Sequence, residues 1–358
     1  MSIVVEIDAD FLYELNDSSH NNITYYIVNP HAIPCEVKLL DPTVGITICL
    51  LLIAIFLLAI PGNILVGWVI RTSRHSLTPS DVYLFHLTIA DGLMALTIPF
   101  WAVVVIRGWL FGDFMCKVIS LIFDTNFYTS ILFLACISID RYLVIVHSSE
   151  SLKSRQRMCS QLLCAGVWAL GCGLALPALF NDVSSPRNGS DWMICNDNFD
   201  IGNASKWRIA IRGFRHIFGF LLPLGVMVTC YSITIARILR TRGFQKHRAM
   251  KVIIIVVIVF FLCWLPYHLS MIVDTLLRAN LIPYDCARRT SVNTALGVTN
   301  SLALLHSCIN PVLYAFVGEK FRSKMRMLLK RKMAQERMSV SKYSRSTSQT
   351  SEGHATAL

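Results

Sequence analysis

The stretch VGITICLLLIAIFLLAIPGNILVGWVI, residues 44–70, carries no formal charge from end to end. A helix needs about 20 predominantly apolar residues to cross the hydrocarbon of a bilayer, so this run spans one with residues to spare. Its apolar residues do not alternate with polar ones, which excludes a membrane β-strand. Six similar runs follow: 82–106 with one Asp91, 118–139 with one Asp124, 158–181, 216–236, 252–273 and 290–318. Their internal prolines (Pro61, Pro99, Pro177, Pro223, Pro266, Pro311) are tolerated in packed transmembrane helices, where they mark kinks. The pattern predicts an all-α fold, a seven-transmembrane helix bundle.

Composition agrees with that reading. The 358 residues are 54% hydrophobic and 15% charged, against about 25% charged residues in soluble domains. The net charge of +11 would suit a nucleic-acid partner, but the Lys and Arg residues collect between the apolar runs, which argues for membrane topology instead. Of the twelve cysteines, Cys49, Cys136, Cys159, Cys164, Cys172, Cys230, Cys263 and Cys308 lie in apolar runs, where a thiol acts as a small hydrophobe. Cys35, Cys116, Cys195 and Cys286 lie in or beside polar segments and can pair in an oxidising compartment. The first thirty residues lack a charged start followed by an apolar core, so the first span is expected to act as an uncleaved anchor.

Two independent signals give an orientation. Segments 71–81, 141–157, 237–251 and the tail after Gly318 hold 22 of the 33 Lys and Arg residues, and positive residues favour the cytoplasmic side. The sequons at Asn16, Asn22, Asn188 and Asn203 all fall on the other side, where glycosylation occurs. The expected protein is a multi-pass protein of the plasma membrane, with its N-terminus outside. Residues 1–43 then form an acidic extracellular arm, 44–318 the bundle, and 237–251 a short basic cytoplasmic loop. Residues 319–332 read as an amphipathic helix on the inner leaflet, and 333–358 as a disordered Ser/Thr-rich tail.

Ionisable groups inside spans are costly and are functional candidates by default. Asp91 sits mid-span, with Asn63, Asn126, Ser130 and Asn310 available from neighbouring spans. Asp91, Asn126 and Ser130 offer the oxygen donors of a hydrated sodium site; an ion-free hydrogen-bond network uses the same groups, and the residues leave both readings open. Asp140-Arg141-Tyr142 closes the third span at its inner end, as a surface pair or as a latch between helices. Cys263-Trp264-Leu265-Pro266 sets an indole beside a kink, and Asn310-Pro311-Val312-Leu313-Tyr314 sets an amide at a kink with a phenol one turn below. Tyr231, in the fifth span, completes the candidate switch residues.

Together with Gly62-Asn63, Trp168 and Pro223, these motifs resemble the rhodopsin-like G-protein-coupled receptors over about residues 44–332. Leu304 stands where opsins hold their retinal lysine, so a photoreceptor is not implied. Pro34-Cys35, Thr97-Ile98-Pro99 with Trp101, Trp109-Leu110-Phe111-Gly112 before Cys116, and His306-Ser307-Cys308 are similar to the chemokine-receptor branch. Gln245–Met250, Leu134–Ser138, Lys206-Trp207-Arg208 and Arg288-Arg289 look most like the interleukin-8-type CXC receptors. The resemblance implies disulfides Cys116–Cys195 and Cys35–Cys286. It departs at Val144, usually Ala, and at Gly297 and Asn300, where interleukin-8-type receptors carry acids.

What the resemblance implies is a receptor for chemokines, which are small basic proteins. The arm offers them Asp8, Asp10, Tyr13 and Glu14, with Tyr13 a sulfation candidate and Pro34 at the arm's root. Candidate pocket residues are Trp101, Asp124, Arg208, Arg212, Tyr267, Asp274, Arg288, Arg289 and Asn300, with Arg215 alongside them. By the same resemblance the cytoplasmic partner is a Gi-type heterotrimer, the tail serves receptor kinases and arrestins, and membrane lipid surrounds the bundle; no cofactor is required, and the allosteric sodium ion at Asp91 stays one of the two open readings of that cluster. A scavenging receptor without G-protein coupling is the nearer rival. A transporter would show inverted repeats, and a membrane enzyme a His-x-x-x-His, a Gly-x-Ser-x-Gly or paired intramembrane aspartates; the sequence shows none of them.

Overall fold

The computed structural model describes residues 41–72, 77–146, 156–185, 192–197, 204–239, 244–279, 281–283 and 285–317, then 323, 325–327 and 330. Helix α1 is Pro42–Thr72, α2 is Pro79–Arg107, α3 is Gly112–Val146 and α4 is Gln156–Ala175. Helix α5 joins three pieces, Ala204–His216, a π turn Ile217–Leu221 and Leu222–Leu239. Helix α6 is Phe244–Arg278, and α7 is Cys286–Ala303 followed by His306–Val317. Local chemistry sets several ends. Thr78 and Asp81 exchange side-chain-to-backbone bonds in a capping box with Pro79 in the first turn of α2, and the Asp285 carboxylate caps α7.

Among the described residues, six helical stretches are long and apolar enough to cross a membrane: α1, α2, α3, Cys159–Phe180 (α4 with the 3-10 turn that follows it), the α5 stretch Lys206–Arg237 and the α6 stretch Val257–Arg278. The seventh expected span is present as α7 but broken, because Leu304 and Leu305 form a turn between its two pieces. Helix α3 lies at the centre, packed on α2, α4 and α5, while α1 meets α2 and α7, and α6 meets α7 and α5. The core includes Phe127, Phe133, Ile131, Met94, Leu52 and Trp264. Ile46, Leu50, Leu57, Leu58 and Ile64 of α1 are exposed, which suits a lipid solvent as apolar as they are.

Three expectations need correction. The fourth run, 158–181, leaves the helix through a 3-10 turn at Leu176–Phe180, where Pro177 stands in the first turn. Asn181 then begins strand β1, Asn181–Ser184, which pairs antiparallel with β2, Ile194–Asp197, Val183 lying opposite Cys195. The fifth helix starts at Ala204, well before residue 216, since basic side chains end an apolar run without ending a helix. Residues 237–251 are not one loop: α5 runs to Leu239 and α6 starts at Phe244, because Lys and Arg at helix ends can extend toward water. The arm 1–40 and the tail 331–358 lie outside the described residues; of the proposed helix 319–332, residues 323, 325–327 and 330 are helical.

Two glycines are required by geometry. Gly108 follows α2 with φ of 75°, and a Cβ there would lie 2.7 Å from the Met193 carbonyl, so only glycine lets the hairpin approach α2. Gly219, in the π turn, faces α3: a Cβ would stand 2.5 Å from Cε1 and 2.6 Å from Cζ of Phe127. That ring is fully buried and has little room to yield. Gly219→Val is therefore expected to cost about 1–3 kcal/mol through overpacking, read as a lower Tm of the detergent-purified protein. An unchanged Tm would show that α5 shifts freely at its π turn.

Candidate functional site

At the end of the bundle that bears the hairpin, β2 is tied to the start of α3 by the Cys116–Cys195 disulfide. Lys117 reinforces the tie: its ammonium donates to the carbonyls of Leu179 (3.1 Å) and Asn181 (2.9 Å) and pairs with Asp182. Asp113 accepts from the Val183 amide at 2.7 Å. The hairpin is thus fastened to α3 covalently, by charge and by backbone. Cys286 is also disulfide-bonded, while Cys35, the partner implied by resemblance, lies outside the described residues.

Beneath the hairpin end, cations outnumber anions. Asp274 of α6 is fully buried and serves three guanidiniums: Arg212 of α5 at 2.6 Å, Arg278 of its own helix at 2.9 Å and Arg289 of α7 at 3.6 Å. Arg212 also donates to the Thr275 hydroxyl at 3.0 Å. One turn deeper, Arg215 pairs with Asp124 of α3 at 2.8 Å and lies 4.8 Å from the Phe127 ring centre and 5.9 Å from that of Tyr267. Beside it the Nδ1 atoms of His216 and His268 approach to 2.9 Å. Four guanidiniums thus face two carboxylates, and helices α3, α5, α6 and α7 are pinned together by charge at this end.

The centre holds a second polar cluster. Asp91 is fully buried; Ser130 Oγ donates to its Oδ1 at 2.8 Å and Asn310 Nδ2 to its Oδ2 at 2.8 Å. His306 Nε2 stands 3.7 Å from Oδ1. Asn63 bonds instead to the carbonyls of Ala59 and Ser307 at 2.9 Å, holding α1 to α7. Asn126 gives its amide to Ile122 of its own helix at 2.6 Å, so it does not bond Asp91 through that group. The side-chain oxygens of Asn63, Asn126 and Asn310 are buried and accept no hydrogen bond among the described residues. The Asn310 oxygen belongs to a side chain bonded to Asp91, and a carboxylate with an unpaired amide oxygen on its partner fits the oxygen-donor preference of a hard cation.

At the opposite end, Ser80 of α2 donates to Asp140, and Ser138 donates to Tyr231 Oη at 2.7 Å, tying α3 to α2 and to α5. Asp140 makes no ion pair with Arg141 among the described residues; the Arg141 Nε is buried without a hydrogen-bond partner. A chain of rings joins the two clusters. Phe127 lies 4.5 Å from Trp264, and Trp264 5.3 Å from His306, which stands beside Asp91.

Comparison with known proteins decides the family. The profile described as 7 transmembrane receptor (rhodopsin family) matches residues 62–314. The chain is 48% identical over 271 residues, 75% of each protein, to the C-X-C chemokine receptor type 1 of Oryctolagus cuniculus. It is 46% identical over 270 residues to the type 1 receptor of Homo sapiens (75% of this chain, 76% of the relative) and 44% over 292 residues to the type 2 receptor of Gorilla gorilla gorilla (81% of each). The chain belongs to the rhodopsin family of receptors, in its CXC chemokine-receptor branch.

The receptor is accordingly a multi-pass membrane protein of a receptor rather than an enzyme family. Of the expected pocket residues, Asp124, Arg212, Tyr267, Asp274 and Arg289 meet in the ionic cluster or its ring lining. Trp101 is half-buried against Trp109 and Phe123 instead, and Arg288 turns to the Pro283 carbonyl at 2.8 Å. Arg208 and Asn300 are half-buried on α5 and α7. Asp8, Asp10, Tyr13, Glu14 and Pro34 lie outside the described residues, as do the sequons Asn16, Asn22, Asn188 and Asn203. Tyr314 is helical, and its side chain is not among those described. Sequence reading missed Arg278, His216 and His306 as partners. Arg278 was detectable, since it follows Asp274 by one helical turn; His216 bonds His268 across helices and His306 stands beside Asp91, both at no telltale spacing.

Proposed function

We propose that this receptor sits in the plasma membrane with its N-terminus outside, binds CXC chemokines of the interleukin-8 type, and drives a Gi-type heterotrimer to produce chemotaxis and calcium signals. The observation that carries the reading is the unbroken line from a cation-rich pocket, through Phe127, Trp264 and His306, to the Asp91 cluster in the core. A ligand that binds one arrangement of this line more tightly shifts the population toward it. The acidic strip Glu6, Asp8, Asp10, Glu14 and Asp17, interleaved with Phe11 and Tyr13, would steer a basic ligand by charge; sulfation of Tyr13 would add to it. A Cys35–Cys286 bridge would hold Pro34 and the arm's root above the pocket.

A sodium ion bound by Asp91, Ser130 and Asn126 would neutralise the buried carboxylate and favour the packing that holds it. Movement of α6 at Pro266 would open Arg141 and Tyr231 to the G protein, with Asp140, Tyr142, Trp264, Asn310, Pro311 and Tyr314 repacking. Residues 319–332 would lie on inner-leaflet lipid, and phosphorylation of Ser339, Ser341, Ser344, Ser346, Thr347, Ser348, Thr350 and Ser351 would recruit arrestin. The test is G-protein activation in cells expressing the receptor, challenged with a CXC chemokine panel with and without pertussis toxin. Toxin-sensitive activation is expected; binding without activation would instead indicate a scavenging receptor, and no binding would end the chemokine reading.

A further inference from the structure

The two histidines beside Arg215 have no part in the reading above. His216 of α5 and His268 of α6 bring their Nδ1 atoms to 2.9 Å, with ring centres 5.0 Å apart. At that separation one Nδ1 carries the hydrogen and the other offers its lone pair, so the pair is an N–H···N bond between two helices. The His268 ring is 2% exposed, and its Nε2 has no hydrogen-bond partner among the described residues. No second bond therefore fixes which nitrogen of that ring is protonated. When the hydrogen of the donating ring sits on Nε2 instead, both Nδ1 lone pairs face the gap, and no proton has left the pair. Imidazole nitrogens are ligands that zinc and copper favour. Zn–N bonds of about 2.0–2.1 Å at a tetrahedral angle set two nitrogens about 3.3 Å apart, so the contact has to open by only about 0.4 Å. The neighbouring cations are already matched, Arg215 by Asp124 at 2.8 Å and Arg212 by Asp274 at 2.6 Å, and the partly exposed His216 gives an ion a way in. Among the described residues no third His, Cys, Asp or Glu joins the pair. Water then completes the coordination, and the affinity falls short of a closed four-ligand site.

We propose that His216 and His268 form a seat for a zinc or copper(II) ion, which bridges α5 to α6 and restrains the receptor. His268 lies two residues beyond Pro266, the kink inside α6. An ion at His268 ties that helix, just past its kink, to α5, which packs on the central α3. The restraint rests on the reading in which α6 moves at Pro266; the metal seat itself does not. Magnesium and calcium prefer oxygen ligands, so the seat discriminates against them. A purely structural hydrogen bond between the two rings has none of these properties.

The deciding measurement is the Tm of the full-length receptor purified in detergent, with zinc, copper(II) or magnesium chloride added at micromolar concentration and then removed by a chelator. Zinc or copper is expected to raise Tm by a few degrees, reversibly, because an ion that binds only the folded form stabilises it by mass action; magnesium should leave it unchanged. His216→Asn and His268→Asn should each abolish the rise, since one imidazole bridges nothing. Phe220, whose ring centre lies 4.5 Å from that of His268, supplies a gain of ligand that serves if the asparagine variants fold poorly. Phe220→His offers a third imidazole and should move the zinc response to about tenfold lower concentration, the scale on which changes around a metal site shift its affinity. In cells, with surface level read by an N-terminal epitope tag, zinc should lower chemokine potency about fivefold or more in wild type and leave both asparagine variants unaffected. A wild-type Tm indifferent to both metals, a rise that survives either asparagine substitution, or an unheightened response in Phe220→His overturns the seat. A Tm rise without loss of potency overturns the restraint alone. A wild-type receptor that answers no chemokine overturns the chemokine reading, and the seat is then judged on Tm.

Discussion

Asp274→Asn is expected to be among the most damaging single substitutions in the receptor. The carboxylate is fully buried and is the shared counter-charge of Arg212, Arg278 and Arg289. Removing one member of a buried pair leaves uncompensated charge and costs roughly 3–5 kcal/mol. The three guanidinium side chains are 17%, 28% and 19% exposed, so water relieves part of that, and a net loss of about 2–3 kcal/mol is expected. At roughly 2 °C per kcal/mol for a chain of this size, Tm should fall by about 4–6 °C. The loss should shrink when Arg278→Gln is added, because one of the three unneutralised cations is then gone; the two changes share a partner and are not additive. Chemokine potency should fall with stability, since α5, α6 and α7 lose their common pin. A Tm within about 1 °C of wild type would show that the three arginines need no shared anion.

Which features could be read from the residues follows from what fixes each one. The spans were legible because hydrocarbon thickness imposes a length, and a run such as 44–70 can meet it only as a helix. The hairpin was not, because four-residue strands such as Asn181–Ser184 leave too little periodicity, and their pairing depends on a fastening to α3 by Lys117 and Cys116 that acts across the chain. The start of α5 was hidden for a different reason. Lys206, Arg208, Arg212 and Arg215 read as the end of an apolar run, yet Arg212 and Arg215 are balanced by carboxylates on α6 and α3 that no local pattern announces. In the core, the composition of the polar cluster was legible and its wiring was not. Asn126 is two turns or less from Ser130 on α3, but its amide turns to Ile122, while Asn310 of α7 supplies the donor Asp91 needs. Asp274 and Arg278 were within reach of a helix-spacing argument; Arg289, arriving from α7, was not.

Asp91→Asn is expected to separate stability from signalling, the second large effect. An ionisable carboxyl midway along a transmembrane helix costs about 2.5–3.5 kcal/mol on insertion scales, and Ser130 and Asn310 offset that with one hydrogen bond each. The introduced amide keeps an acceptor for Ser130 but presents a donor toward the Asn310 Nδ2. That conflict has a ready solution, because the Asn310 side-chain oxygen now accepts nothing and can receive the new donor if the Asn310 amide turns over. Both bonds are then retained while the charge is gone, so Tm should stay level or rise by a few degrees. Function should move the other way. If a cation sits at Asp91 as proposed, a neutral cluster would lose it, and any difference in packing that a ligand exploits to shift the population would shrink. Ligand affinity should become independent of sodium concentration, and G-protein activation at saturating chemokine should drop by about tenfold, a shift of roughly 1.4 kcal/mol in the switching equilibrium. Full activation combined with intact sodium sensitivity would place the switch, and any ion, somewhere other than Asp91.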